Sequence, residues 1–104
     1  MGKDKDKFLL VSMESELRLD LVIAGRVQGV GYRYSAKMKA ESLGISGSVQ
    51  NLHDGSVFVT AQGEKEAIEN FVKWCYKGPP GALVRKIEKV HGKTENFREF
   101  RVLY

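Results

Sequence analysis

Leu17, Leu19, Leu21 and Ile23 alternate with Arg18, Asp20, Val22 and Ala24, and the alternation runs straight into "GRVQGVGYR", Gly25 to Arg33. No other stretch restricts the fold as much. A period of two specifies a strand with one buried face. From Tyr32 the period changes: Tyr32, Ala36, Ala40 and Leu43 recur at helical spacing, with Lys37, Lys39 and Glu41 facing solvent. Gly44 then ends the helix, as a residue tolerant of positive φ does. The chain must therefore pass from strand to helix through a short turn holding glycines at 25, 29 and 31. Such a turn can aim several backbone N–H groups at one anion.

The remaining elements follow from the same periodicities. "ISGSVQNL", 45–52, and "SVFVTAQG", 56–63, are short strand candidates joined by "HDG", and the Asp54-Gly55 pair predicts a hairpin. A second helix is expected from about Glu64 to Tyr76, with Ala67, Ile68, Phe71, Val72 and Cys75 on its buried face and "GPPG", 78–81, as its stop. Val84–Val90 and Arg98–Tyr104 read as two closing strands, Phe100, Val102 and Tyr104 alternating with Arg101 and Leu103. The order predicts an α/β (α+β) fold of the ferredoxin-like sandwich type, with two helices packed on one face of a mostly antiparallel four- to five-stranded sheet. Residues 1–16, beginning with the solvated alternation "KDKDK", are expected to form a flexible or loosely docked arm, and 17–104 the domain. Met1 and Met13 are both candidate starts.

Composition narrows the function classes. The 104 residues suit one small domain. Seventeen basic minus thirteen acidic residues leave +4, too mild an excess to imply a polyanionic partner. A single cysteine, Cys75, cannot form an internal disulfide, and Cys75, His53 and His91 lack metal-ligand spacing, so no metal is expected; no other cofactor is expected either. No run is long enough to cross a membrane, and the apolar run Phe8–Val11 is too short for a secretory signal. A cytoplasmic monomer with neither nucleic acid nor membrane as partner is the expectation, pairing through a strand edge being the route to any oligomer. The rival RNA-binding reading rests on Phe58 and Tyr104, the aromatics available for an open sheet face.

The glycine turn carries the chemistry. Arg33 falls near a helix N-terminus, where a cation is disfavoured unless an anion shares the site. The glycines leave the backbone around it uncovered by side chains. N–H groups and one guanidinium together suit the oxygens of a phosphate. Neither the dinucleotide fingerprint nor the P-loop is present, so a small phosphate or carboxylate is the expected ligand.

The turn resembles the signature of the acylphosphatase family, G-x-V-Q-G-V-x-[FY]-R, at Gly25, Val27, Gln28, Gly29, Val30, Tyr32 and Arg33. A second block, "GSVQNLHDGSV", 47–57, centres on Asn51, and a third is similar to "FVKWCYKGPPGALV", 71–84. Ser48 departs from the pattern, since many members carry a bulky residue there. The resemblance implies the ferredoxin-like fold and hydrolysis of a small-molecule acyl phosphate to carboxylate and inorganic phosphate. It implies a phosphate cradle at Gln28, Gly29, Val30, Gly31, Tyr32 and Arg33, with Arg33 and Asn51 catalytic and Asn51 orienting the attacking water. Gln28 is expected to act through its backbone N–H and Tyr32 to pack beneath the cradle. His53 and Asp54 read as loop and turn residues. A non-enzymatic domain sensing a small anion through the same cradle is the alternative.

Overall fold

Each strand and helix expected from the periodicities forms in the computed structural model, which describes residues 16–104. The elements are β1 (Glu16–Arg26), α1 (Tyr32–Ser42), β2 (Ser46–Asn51), β3 (Val57–Glu64), α2 (Lys65–Lys77), β4 (Leu83–Gly92) and β5 (Phe100–Leu103). They build one five-stranded sheet in the order β4-β1-β3-β2-β5. All neighbours are antiparallel except β2 and β5, which run parallel. This is the ferredoxin-like sandwich. Glu16 pairs with Glu64 as the first residue of β1, so the strand takes the last residue assigned to the arm; the rest of that arm lies outside the described residues.

The core follows the alternation. Leu19, Leu21 and Ile23 of β1, Val49 of β2, Val57, Val59 and Ala61 of β3, Ile87 of β4 and Phe100 of β5 turn to one face. Ala36 and Ala40 of α1 and Ile68, Phe71 and Cys75 of α2 close over them. Burying each large apolar side chain contributes about 1.5–3 kcal/mol. The Tyr32 hydroxyl, at the start of α1, donates to the Cys75 carbonyl near the end of α2 at 2.8 Å, and its ring lies 5.4 Å from Trp74. Burial pushes the Tyr32 hydroxyl well above the usual phenol range and the Cys75 thiol up to about 12, so both stay neutral at physiological pH.

Two strand limits differ from expectation. β4 is longer, Leu83–Gly92, and lines one sheet edge with exposed Arg85, Lys86, Glu88 and Lys89, charges that discourage pairing with another chain. β5 is shorter and starts at Phe100, because the segment before it is held across the face of the sheet opposite the helices. Gln62 donates to the Glu95 carbonyl at 2.7 Å and accepts from the Glu95 N–H at 2.8 Å. Arg18 bonds the Lys93 carbonyl and the Glu95 carboxylate, and its guanidinium lies 5.6 Å from the Phe97 ring centre. These side-chain bonds take the place of a longer ladder. Ser48 pairs with Thr60 on that same opposite face, so its departure from the family pattern lies on the side of the sheet away from Asn51.

Gly25 shows why β1 can reach the cradle. The register with β4 shifts between Ala24 and Gly25, and Gly25 has φ 139°. A Cβ there would lie 2.0 Å from the Leu83 carbonyl oxygen. Gly25→Ala is expected to cost on the order of 2–4 kcal/mol from backbone strain and overpacking. Urea denaturation would measure this as a fall in midpoint at unchanged slope.

Candidate active site

β1 ends beneath a turn whose shape depends on two residues with positive φ. Gly29 and Gly31 both have φ 76°, and Gly31, in the left-handed conformation, is the N-cap of α1. A Cβ at either would meet nothing within 4 Å among the described residues, so glycine is favoured there by backbone conformation. Among the described residues no side chain caps α1, and its first turn holds no acidic residue. Among the described residues, none accepts a hydrogen bond from the backbone N–H groups of Gln28, Gly29, Val30 or Gly31. These donors and the positive end of the α1 dipole favour an anion.

Arg33 adds the one full positive charge among the residues lining this cavity. Its Nη1 donates to the Leu103 carbonyl at 3.1 Å, and its guanidinium carbon lies 4.7 Å from the Tyr104 ring centre. Both partners position the guanidinium without neutralising it, and Arg33 makes no ion pair among the described residues. Its remaining N–H donors are available to an oxyanion.

Asn51 arrives by sheet register. It stands opposite Val57, which is fully buried beneath the helices, so Asn51 shares that face and not the opposite one. As the last residue of β2 it overhangs the core at the end where the cradle lies. Gln28, Gly29, Gly31, Tyr32, Arg33 and Asn51 line one cavity of about 190 Å³, with Tyr104 at its rim. Pockets for drug-sized ligands run to about 300–1,000 Å³, so this one suits only a small group. Val30 turns its side chain onto the core and can serve only through its backbone.

Gln28 holds more than its sequence position suggested. Its side-chain Nε2 donates to the carbonyls of Leu52 and Ser56, each at 2.8 Å. The side-chain amide nitrogen is therefore engaged with the β2–β3 hairpin loop. Leu103, Tyr104 and Ser56 were not legible as site residues either. Their contribution depends on β5 lying beside β2 and on the loop fold, for which no local signal exists. His53 is exposed in that loop. Phe58 pairs with Gln50 on the sheet face opposite the helices, whereas Tyr104 lies against Arg33 on the helix side, so the two aromatics proposed for RNA do not share a surface. Among the described residues no group of three or more His, Cys, Asp or Glu could hold a metal ion, and no helix is long and apolar enough to cross a membrane.

Asp54 secures the loop. Its Oδ1 accepts from the Ser56 hydroxyl at 2.5 Å and the Ser56 N–H at 3.0 Å. The hydroxyl first and the N–H second hold its carboxyl below the ordinary value of 3.8. A carboxylate depressed in the folded state stabilises fully above its unfolded pKa, and that contribution disappears as pH falls through the depressed value. Asp54→Asn keeps an acceptor but no longer titrates. The Tm advantage of the wild type over Asp54→Asn should therefore shrink on acidification below pH 3.8 and stay flat from there to neutrality, as thermal melts across pH would record.

Comparison with known proteins shows the family. The acylphosphatase family model matches residues 19–102. An acylphosphatase of Acaryochloris marina is 44% identical over 91 residues, covering 88% of this chain and 98% of that one. One from Methylococcus capsulatus is 45% identical over 87 residues, covering 83% and 95%. The structure of an acylphosphatase from Coxiella burnetii superposes with a TM-score of 0.85 at 35% identity, covering 88% of this chain and 97% of that one. The chain belongs to the acylphosphatase family of acyl-phosphate hydrolases.

Proposed function

We propose that the 28–33 cradle holds the phosphoryl group of a small-molecule acyl phosphate while Asn51 directs water at its phosphorus. The carrying observation is the convergence on one small cavity of N–H groups that no described residue caps, a guanidinium with no ion pair among the described residues, and the Asn51 amide. The backbone N–H groups of Gln28, Gly29, Val30, Gly31 and Tyr32 and the Arg33 fork bind the non-bridging oxygens. Charge on those oxygens is redistributed as the bond to the leaving group lengthens, and fixed donors need no reorganisation to match it. The Asn51 carbonyl accepts from the attacking water and its amide donates, which fixes the direction of approach.

The step balances without a strong general base. A water oxygen bonds to phosphorus, the P–O bond to the acyl group breaks, and the carboxylate leaves with the bonding pair. The water proton passes to a phosphoryl oxygen, giving inorganic phosphate. A carboxylate is a good leaving group, so His53 and Asp54 have no part in proton transfer. The same reading takes the enzyme as a cytoplasmic monomer working on a free acyl phosphate, without nucleic acid, membrane or cofactor. The charged β4 edge supports the monomer.

Hydrolysis of an aryl acyl phosphate with chelator present, followed by loss of acyl-phosphate absorbance, tests the assignments. Arg33→Ala should raise KM and the inhibition constant for phosphate and lower kcat. Asn51→Ala should lower kcat by on the order of 10²–10³-fold, the size seen when one preorganised transition-state donor is removed, with phosphate binding retained. Phosphate binding without turnover in the wild type would instead make the domain an anion sensor.

A further inference from the structure

The Gln28 side chain is polar, half-buried and directed at the hairpin loop instead of the cavity it borders. Both of its hydrogen bonds leave from one nitrogen, and both end on carbonyl oxygens. An amide turned the other way would set oxygen against oxygen at both contacts, so the donor assignment follows from the acceptors themselves.

The two carbonyls bracket the loop that follows Asn51. Leu52 is the next residue in the chain, and Ser56 precedes Val57, the cross-strand partner of Asn51. The Ser56 carbonyl also accepts from the Leu52 N–H at 2.9 Å, and the Leu52 carbonyl accepts from the Gly55 N–H at 3.2 Å. Gln28 thus closes a small network around the base of the loop. Gln28 belongs to the phosphate cradle by its backbone and to the Asn51 loop by its side chain. No covalent path shorter than α1 and β2 joins those two segments.

We propose that the Gln28 side chain is a positioning residue, a clasp that sets the distance from the phosphate cradle to the water-orienting Asn51. The inference rests on the hydrolytic reading above. The backbone N–H groups of the cradle and the dipole of α1 do not depend on this clasp, because Gly29 and Gly31 impose the turn. Phosphate capture and water placement are then separable, and only the second needs the Gln28 amide. Displacing Asn51 by a fraction of an ångström misdirects the attack without loosening the phosphate.

A double-mutant cycle decides it. Gln28→Met keeps side-chain length and removes both donations. With an aryl acyl phosphate, it should lower kcat by on the order of 10- to 100-fold, the effect of a small misplacement at the reacting centre, while KM and the inhibition constant for inorganic phosphate change by less than about threefold. In an Asn51→Ala background the same substitution should change kcat by less than about twofold, since the group it positions is gone. Gln28→Glu supplies a second readout. Its carboxylate faces two carbonyl oxygens with no proton to donate, and protonation restores one bond. Its kcat relative to wild type should therefore rise as pH falls through the Glu pKa. His53 and Asp54 in the loop, and Arg33, Tyr32, Tyr34 and Tyr104 around the cavity, are the ionisable groups beside the clasp; they are common to both proteins and cancel in the ratio.

Equal multiplicative losses in both backgrounds, or a phosphate inhibition constant that weakens as much as kcat falls, would overturn the clasp and assign Gln28 to the cradle alone. If Gln28→Met failed to fold, a Gln28→Glu to wild-type ratio that stayed flat across pH would overturn it on its own. Absence of turnover in the wild type would instead remove the hydrolytic reading and the clasp with it, an outcome distinct from turnover with an additive cycle.

Discussion

Placement of the site depends on β1 lying in the interior of the sheet. With β4 on one side and β3 on the other, both sets of its backbone hydrogen-bonding groups are paired, and Leu19, Leu21 and Ile23 lie under the two helices. Its last residues therefore stand in a fixed position. The backbone donors that follow inherit that position, and in the proposed function the rigid strand end preorganises them for the phosphoryl group.

Three separate parts of the chain meet above that strand end. The 28–33 turn supplies donors, the end of β2 supplies Asn51, and the end of β5 supplies the carbonyl and the ring that locate Arg33. Arg33 illustrates the economy of the arrangement. A carboxylate partner would hold the guanidinium equally well but would neutralise it and compete with an incoming phosphate. A backbone carbonyl and a ring face hold it while leaving its charge available to the substrate. In the proposed reading the small cavity holds the phosphoryl group and the acyl portion stays outside it.

The polar support lies outside the bonds that would touch a substrate. Asp54 holds Ser56, the Ser56 carbonyl holds both Leu52 and Gln28, and Tyr32 anchors the first turn of α1 to the end of α2. Removing any of these leaves the cradle donors and Asn51 present but less well related to one another. A site that works by geometry and fixed dipoles is sensitive to that relation.

Local chemistry was legible where it was local. The alternation over Leu17–Ile23, the helical spacing of Tyr32, Ala36 and Ala40, and the glycines at 29 and 31 each act within a few residues of themselves. Strand, turn and helix were accordingly determined by the chain alone, and with them the anion-facing donors and the family resemblance. The limits of β4 and β5 were not, because they depend on the 93–99 segment being tied to Gln62 and Arg18 from distant strands. The same holds for the site. Asn51 could be named from its motif, but its facing depends on pairing with Val57. The Gln28 side chain reads equally well as a ligand or a bystander until the β2–β3 loop lies beside it. Periodicity records which side of an element is buried, whereas the contacts of Gln28, Arg33 and Tyr104 exist only once non-adjacent strands have been brought together, and that was decided by the tertiary fold.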